Sequence, residues 1–141
     1  MPTHVMTLLI VDESLVDQWL LSEALCEEAP QAEILRISNG TEAFAVLRAL
    51  EYRDPADVII IDYQTPPVLR QSLLDMLEHE VRWQGRLVVV VHDQSDGRVL
   101  DAWTRSPLLT VLSKPVSFEE YLHFAAKLGQ GCLHAHQASV K

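Results

Sequence analysis

Five short apolar runs recur along the chain, and they constrain its fold more than any other feature. Four of them are rich in Val, Ile or Leu, which is typical of strands buried on both faces of a parallel sheet. Between the runs lie segments whose apolar residues have helical spacing. The runs are residues 5–11, 33–37, 58–61, 87–91 and 108–112.

The segments between the runs predict amphipathic helices, because their apolar residues recur every three or four positions. The first helix is predicted over residues 16–28, ending before Pro30, and a fourth over residues 97–105. The apolar stripes of the second and third helices are Ala43, Val46, Leu47 and Leu50, then Leu69, Leu73, Met76 and Leu77.

The last helix has the clearest start signal. Ser117 and Glu120 form an S-x-x-E capping box ahead of an apolar stretch, and Gly129 is predicted to end the helix. Residues 130–141 show no periodicity, which indicates a frayed tail or the start of a linker.

Strands that alternate with helices five times predict a parallel sheet covered on both faces, because right-handed crossovers place each helix against the sheet. We therefore predict an α/β domain over residues 1–129, a doubly wound (βα)5 fold with a five-stranded parallel sheet of the flavodoxin-like kind.

The balance of charge excludes one class of function for this segment. Eleven Lys and Arg residues against twenty Asp and Glu residues give a formal charge of −9, which repels a phosphate backbone and argues against nucleic-acid binding. The two cysteines have no disulfide or zinc spacing, and the apolar run at residues 5–11 is too short to cross a bilayer. We expect a cytoplasmic protein.

Charged residues follow three of the predicted strands. Asp12 and Glu13 follow the first, Asp62 follows the third, and Lys114 follows the fifth. In open parallel sheets, ligands bind beyond the carboxyl ends of the strands. Convergent carboxylates favour a hard divalent cation, so we expect Mg²⁺ at this edge, and the Lys114 ammonium can pair there with Asp62 or with a phosphoryl oxygen.

A carboxylate nucleophile, a metal site and a lysine are the groups that capture a phosphoryl group. As a set, they resemble the receiver domain of bacterial two-component response regulators, over about residues 5–129. Receivers carry an acidic pair after strand one, a phosphoacceptor Asp after strand three and Lys-Pro after strand five. The distances along the chain from Asp62 to His92 and to Lys114 are also similar to those of chemotaxis-type receivers.

This resemblance implies that Asp62 is the phosphoacceptor, that Lys114 assists it, and that Mg²⁺ is held by Asp12, Glu13, Asp62 and the backbone carbonyl of Gln64. It also implies a cis peptide bond between Lys114 and Pro115. The expected partners are a sensor histidine kinase or phosphotransfer protein and a downstream target or output domain, with a second copy of the chain as a further candidate. The domain would signal rather than turn over a substrate, its chemistry being its own phosphorylation and dephosphorylation.

Three positions depart from the receiver pattern. His92 occupies the position at the end of strand four where receivers place a switch Ser or Thr. Asp93 follows it in place of a small residue, and Val111 replaces the aromatic residue three positions before the lysine. These departures keep open a pseudo-receiver, which is the same fold used as a phosphorylation-independent protein-interaction module.

Two enzyme-like or ligand-binding alternatives fit less well. A phosphatase of the haloacid-dehalogenase type needs Asp-x-Asp after its first strand, whereas Asp12 is followed by Glu13 and Ser14. A nucleotide-binding flavodoxin-like protein needs a Gly-rich phosphate loop after a strand, and no such loop is present in the sequence. His134 and His136 are given no role.

Overall fold

The chain is described here by a computed structural model, which covers residues 6–37, 56–93 and 109–129. Five strands in these ranges form one parallel sheet in the order β2-β1-β3-β4-β5. This is the flavodoxin-like strand order, which confirms the predicted fold class. The strands are β1 (Thr7–Val11), β2 (Glu33–Ile37), β3 (Val58–Asp62), β4 (Leu87–His92) and β5 (Leu109–Ser113).

The apolar runs predicted these strands closely. β2 coincides with its predicted range, while β3 and β4 each continue one residue further, into Asp62 and His92. Both of those polar residues are buried although they lie in strands. The strand ends of the central sheet are therefore places where polar groups are brought into a low-dielectric environment.

Three α-helices lie in the described residues: α1 (Leu15–Glu28), α2 (Pro67–His79) and α3 (Phe118–Gly129). A short 3-10 helix, Val81–Trp83, follows α2. In this part of the chain, no helix is both long enough and apolar enough to cross a membrane. The helices predicted around residues 43–50 and 97–105, and the tail at residues 130–141, lie outside the described residues.

The sheet separates two apolar layers. On one face, α1 and α3 pack together against alternate residues of β1, β3 and β4, including Leu8, Ile10 and Ile60. On the other face, α2 and Trp83 cover the intervening residues of the same strands, such as Leu9, Ile59 and Val90. Each central strand is thus buried on both sides, as its continuous apolar sequence predicts.

Serine side chains begin two of the helices. Ser14 Oγ accepts a hydrogen bond from the Asp17 N–H at the start of α1, and Ser117 Oγ accepts one from the Glu120 N–H at the start of α3. The predicted capping box of α3 forms with one change, since the Glu120 carboxylate accepts from the Val116 N–H rather than from Ser117. The first turn of each helix is held firmly, and both turns lie at the same edge of the sheet.

Gly129 ends α3 as predicted, but by a different mechanism from the left-handed cap that glycine usually supplies. Among the described glycines, positive φ occurs at Gly85 and not at Gly129. A Cβ on Gly129 would lie 3.3 Å from the Cβ of Ala29, just after α1. Glycine therefore permits the close approach of the ends of α1 and α3.

Gln18 ties α1 to the ends of two strands. Its buried Nε2 donates to the carbonyl oxygens of Asp12 at 2.5 Å and Ile37 at 3.0 Å. The Asp12 N–H also donates to the Ile37 carbonyl, at 3.1 Å. One amide side chain thus fixes α1 against the carboxyl ends of β1 and β2, and it fixes the backbone of Asp12.

We expect Gln18→Leu to lower the free energy of unfolding by about 1–3 kcal/mol, because it leaves buried carbonyl oxygens without their donor. Urea unfolding followed by circular dichroism measures this change. Gln71→Leu is the matched control, since Gln71 is exposed on α2 and bonds only to Asp75 among the described residues, and it should change stability by less than about 0.5 kcal/mol. Equal effects of the two substitutions would contradict a bridging role for Gln18.

Candidate functional site

The carboxyl ends of β1, β3 and β5 bring three of the predicted site residues together. Asp12 follows β1, Asp62 ends β3, and Lys114 follows β5. β1 lies between β2 and β3, so the chain order of the sheet reverses at this point, where ligands of such sheets bind. The fold therefore gathers these residues although they are far apart in sequence.

Lys114 forms the centre of the cluster. Its Nζ lies 3.1 Å from Asp12 Oδ2, 2.8 Å from Asp17 Oδ2 and 3.5 Å from Asp62 Oδ1. The Lys114 side chain is only 11% exposed, so these ion pairs are largely shielded from water. An ammonium has three N–H donors, and three carboxylates lie within 3.5 Å of this one.

Local hydrogen bonds fix the two strand-end aspartates. The Ser14 N–H donates to Asp12 Oδ1 at 2.8 Å, in a turn that leads directly into α1. After β3, both the N–H and the hydroxyl of Thr65 donate to the Asp62 carbonyl, at 3.0 and 2.6 Å. The loops that follow β1 and β3 are thus closed by polar groups two residues beyond Asp12 and three residues beyond Asp62.

The surroundings of Asp62 disfavour its charge. Burial and the neighbouring charge of Asp12 raise the pKa of Asp62 to about 6, against the lowering effect of Lys114 and of the Gln64 backbone N–H. Burial also raises the pKa of Asp12, although the Ser14 N–H and Lys114 oppose the rise. Burial is thus the main reason why both carboxyl groups resist ionisation, and the charge of Asp12 adds to it at Asp62.

Burial and the neighbouring carboxylates also shift the pKa values of Lys114 and Tyr121. Burial by itself lowers the pKa of Lys114, but its hydrogen bond to Asp17 and the charges of Asp12 and Asp62 raise it above its usual value. Burial, followed by the charge of Asp17, raises the pKa of Tyr121. Lys114 is therefore a permanent cation of this site and Tyr121 a permanent hydrogen-bond donor.

Asp17 and Tyr121 belong to the site, yet the sequence analysis did not identify them. Asp17 lies in the first turn of α1, and the Tyr121 hydroxyl, in the first turn of α3, lies 3.4 Å from Asp17 Oδ1. The spacing of Ser14 and Asp17 is itself an S-x-x-D helix-start pattern, which marks where α1 begins. This pattern does not predict that Asp17 contacts Lys114, which lies 97 positions further along the chain.

Two of the predicted metal ligands, Glu13 and Gln64, are exposed, unlike the buried Asp12 and Asp62. Glu13 is exposed, and among the described residues its side chain makes no ion pair or hydrogen bond. Gln64 is also exposed, and its backbone N–H donates a hydrogen bond to Asp62. The structure thus gathers Asp12 and Asp62, while ligation by Glu13 and by the Gln64 carbonyl stays a prediction.

A different acidic cluster lies on the surface of α2. Asp75, Glu78 and His79 are exposed, and their ligand atoms lie within 4.8 Å of one another. Within the described residues, this is the one set of three metal-ligating side chains so grouped. It is formed by neighbouring turns of one exposed helix, and it lies apart from the residues that contact Lys114.

His92 ends β4, as predicted, and it is buried. Its Nδ1 lies 2.8 Å from the carbonyl oxygen of the exposed Asp93. Asp62 is paired in register with Val91, so alternation along β4 places the His92 side chain on the opposite face of the sheet. That face also carries the half-buried Val111. A role for His92 as a switch residue stays a prediction.

One expectation drawn from the resemblance is wrong. The Lys114–Pro115 peptide bond is trans, like the other peptide bonds of the described residues. Trans is the favoured form of X-Pro bonds by about 0.5–1 kcal/mol. In this form the Lys114 N–H donates to the His92 carbonyl at 2.7 Å, and the side chain already reaches the carboxylates.

Comparison with known proteins gives similarity in structure alone, because no family model and no curated protein matches the sequence. The phosphorylated cyanobacterial phytochrome response regulator RcpA is 17% identical, with a TM-score of 0.68 over 90% of this chain and 93% of its own. The chemotaxis response regulator CheY4 of Vibrio cholerae is 16% identical, with a TM-score of 0.64 over 89% and 99%.

A third similar structure is the Mn²⁺-bound form of the response regulator Rcp1, at 19% identity and a TM-score of 0.66 over 91% of this chain and 94% of that one. At such identities the similarity establishes the fold. The chain thus has the fold of response-regulator receiver domains, and the structural resemblance predicted from its sequence is confirmed.

The raised pKa of Asp62 makes stability depend on pH. Between about pH 4 and pH 6 the folded protein holds the Asp62 proton and the unfolded chain loses it, so stability falls as pH rises through this window. We expect Asp62→Asn, which cannot ionise, to be more stable than wild type at pH 7 by about 2 kcal/mol, and equally stable below pH ~4. Urea unfolding in EDTA across this range measures the difference.

The control for this experiment is Glu23→Gln, which removes the same charge at an exposed position of α1. Its stability should follow that of wild type at every pH within about 0.5 kcal/mol. If Asp62→Asn is less stable than wild type at pH 7, burial does not destabilise the Asp62 charge as described.

Proposed function

We propose that this domain is a phosphoacceptor signalling module that takes up a phosphoryl group on Asp62, with Mg²⁺ bound beside it. The observation that carries the proposal is the contact of one buried ammonium, Lys114 Nζ, with Asp62 at 3.5 Å and with Asp12 at 3.1 Å at the carboxyl edge of the sheet. Phosphoryl transfer depends mainly on positioning and charge neutralisation, which this arrangement supplies.

In the proposed reaction, a carboxylate oxygen of Asp62 attacks the phosphorus of a phosphodonor. A new P–O bond forms to Asp62, and the bond from phosphorus to the donor breaks, with its electron pair leaving on the donor group. Lys114 donates to the phosphoryl oxygens and balances part of their charge. Ionised Asp62 is the nucleophile, and its pKa of about 6 leaves most of it ionised at neutral pH.

The residues at this edge fit a divalent metal ion. Asp12 and Asp62 are buried carboxylates that share one lysine with Asp17, so the three acids, when ionised, carry more negative charge than Lys114 neutralises. Oxygen ligands of this kind suit Mg²⁺, and Glu13 adds a third carboxylate one residue along the chain. When bound, the ion would neutralise charge that develops on the phosphoryl oxygens. The Mn²⁺-bound response regulator Rcp1 supports metal binding in this fold.

The surroundings of the site fit a protein phosphodonor, and we propose a sensor histidine kinase or a phosphotransfer protein. Leu15 and Val16 follow the turn after Asp12, Val116 follows Lys114 and Pro115, and all three are exposed. Exposed apolar residues beside a polar site are typical of surfaces that bind other proteins. A downstream target or an output domain would respond to the phosphorylated form, and the cytoplasm is the expected compartment.

The pseudo-receiver is the second candidate, and one observation favours it. The His92 ring lies in hydrogen-bond contact with the Asp93 carbonyl, and it stands where receivers carry a hydroxyl side chain. A phosphoryl group on Asp62 would then lack the contact that a strand-four hydroxyl supplies in receivers. If phosphorylation fails under every donor tested, this interaction role is the better account.

We expect acetyl phosphate with Mg²⁺ to add one phosphoryl group to the protein, as an acyl phosphate that hydroxylamine removes. Asp62→Asn should take up none, because its amide is not a nucleophile. Intact-protein mass spectrometry measures the adduct. Asp75→Asn is the matched control, with the same chemical change on exposed α2, and should be labelled like wild type. Label that persists in Asp62→Asn and is resistant to hydroxylamine would contradict the proposal.

The metal site makes a separate prediction. Asp12→Asn and Asp62→Asn should each weaken Mg²⁺ binding by about ten-fold or more, since even residues that only support metal ligands have effects of this size. Chemical-shift changes in NMR titrations give the affinity. Glu78→Gln changes the exposed cluster on α2 and should leave this affinity unaltered. A loss of binding in Glu78→Gln alone would place the ion on α2 instead.

A further inference from the structure

Asp17 is an acidic residue that the proposed reaction does not use, although it makes the shortest ion pair of the site. Its Oδ2 lies 2.8 Å from Lys114 Nζ, compared with 3.5 Å for Asp62 Oδ1. The two residues are 97 positions apart in sequence, one on α1 and the other after β5. Asp17 thus holds the ammonium more closely than the nucleophile does.

Asp17 is itself held from two further directions. Ser14 Oγ accepts a hydrogen bond from its backbone N–H at 3.2 Å, which fixes the first turn of α1. The Tyr121 hydroxyl lies 3.4 Å from its second carboxylate oxygen, and Tyr121 is buried on α3. These contacts join α1, α3 and β5 at one point. The Asp17 carboxylate, 28% exposed, therefore contacts both Lys114 and Tyr121 while its backbone is held at the start of α1.

The cavity that Asp17 and Lys114 line is small. Its volume is about 10 Å³, room for about one water molecule at most, and Asp12, Tyr121 and apolar residues of the core also line it. Bulk water therefore does not screen the Asp17–Lys114 pair through this cavity. An ion pair in such a setting is stronger than one on the open surface.

Three carboxylates lie within 3.5 Å of Lys114 Nζ, which has three N–H donors, so a phosphoryl group on Asp62 has to compete with Asp12 and Asp17 for the ammonium. The longest of the three contacts is the one to Asp62, the group that would carry the phosphoryl. Competition for the ammonium therefore opposes phosphoryl occupancy.

We propose that Asp17 is a positioning residue that restrains Lys114 and so lowers the affinity of the Asp62 site for a phosphoryl group. The inference rests on the proposed function, since it concerns regulation of the same site. It assigns to α1 and α3 a part in setting how much of the protein is phosphorylated. A domain without this carboxylate would hold the phosphoryl group more firmly.

Beryllofluoride, a phosphoryl analogue, tests this restraint in the full chain with Mg²⁺ present. We expect Asp17→Asn to bind it about three- to ten-fold more tightly than wild type, which is the effect of losing one partly buried charge. Asp17→Glu, which restores the charge, should return the affinity towards the wild-type value. Asp75→Asn is the control for loss of a carboxylate elsewhere and should bind like wild type. Unchanged or weaker binding by Asp17→Asn would overturn the proposal.

A second measurement does not depend on phosphorylation. The ¹H–¹⁵N NMR signal of the Lys114 ammonium should be visible in wild type, because the group is buried and hydrogen-bonded, and should shift or broaden in Asp17→Asn. Asp17→Ser serves in the same way if the Asn variant does not fold. An unaltered Lys114 signal in these variants would show that Asp17 does not restrain the lysine.

The two measurements separate the possible failures. If wild type binds no beryllofluoride and takes no label from acetyl phosphate, the proposed function fails, and the Lys114 signal still decides whether Asp17 restrains the lysine. If wild type binds the analogue but Asp17→Asn binds it no more tightly, the proposed function stands and the role given to Asp17 is wrong.

Discussion

The ammonium of Lys114 is the interaction on which the site depends. It contacts carboxylates that belong to β3, to the turn after β1 and to the first turn of α1. When all three acids are ionised, one positive charge faces three negative ones, which leaves two charges uncompensated. Burial is the main cause of the raised pKa values of Asp12 and Asp62, and the charge of Asp12 adds to it at Asp62. The uncompensated negative charge favours a bound cation, as the proposed function requires.

The fold makes this concentration of charge tolerable. Asp12 is anchored through Gln18 and Ser14, and Asp62 is anchored through Thr65, so the backbone around each acid is fixed by hydrogen bonds rather than by the ion pairs. Two apolar layers hold the strands from both faces. Packing of the two apolar layers therefore stabilises the fold, so the carboxyl edge of the sheet can hold buried acids that destabilise it.

The sequence predicted the parts of this arrangement that depend on local pattern. Asp62 and Lys114 could be identified because each ends a buried apolar run, and in a parallel sheet those ends share one edge. Asp17, Gln18 and Tyr121 could not be identified in this way. They lie within helices, and their part in the site depends on how α1 and α3 are rotated about their axes against the sheet. Apolar spacing predicts which face of a helix packs on the sheet, but it does not predict the rotation closely enough to show which polar side chains reach the site. The cis bond at Pro115 was inferred from resemblance alone and was wrong.

The loss of stability caused by the buried charge of Asp62 helps to decide between the two candidate functions of this domain. A module used only for protein contacts gains nothing from a buried carboxylate whose charge is disfavoured, and Asn at position 62 would fill the same space without that cost. Destabilising groups are kept where chemistry requires them. Asp62 has a raised pKa, lies at the switch point of the sheet, and shares a lysine with Asp12. These features favour phosphoryl chemistry over a purely structural role, even with His92 in place of a hydroxyl.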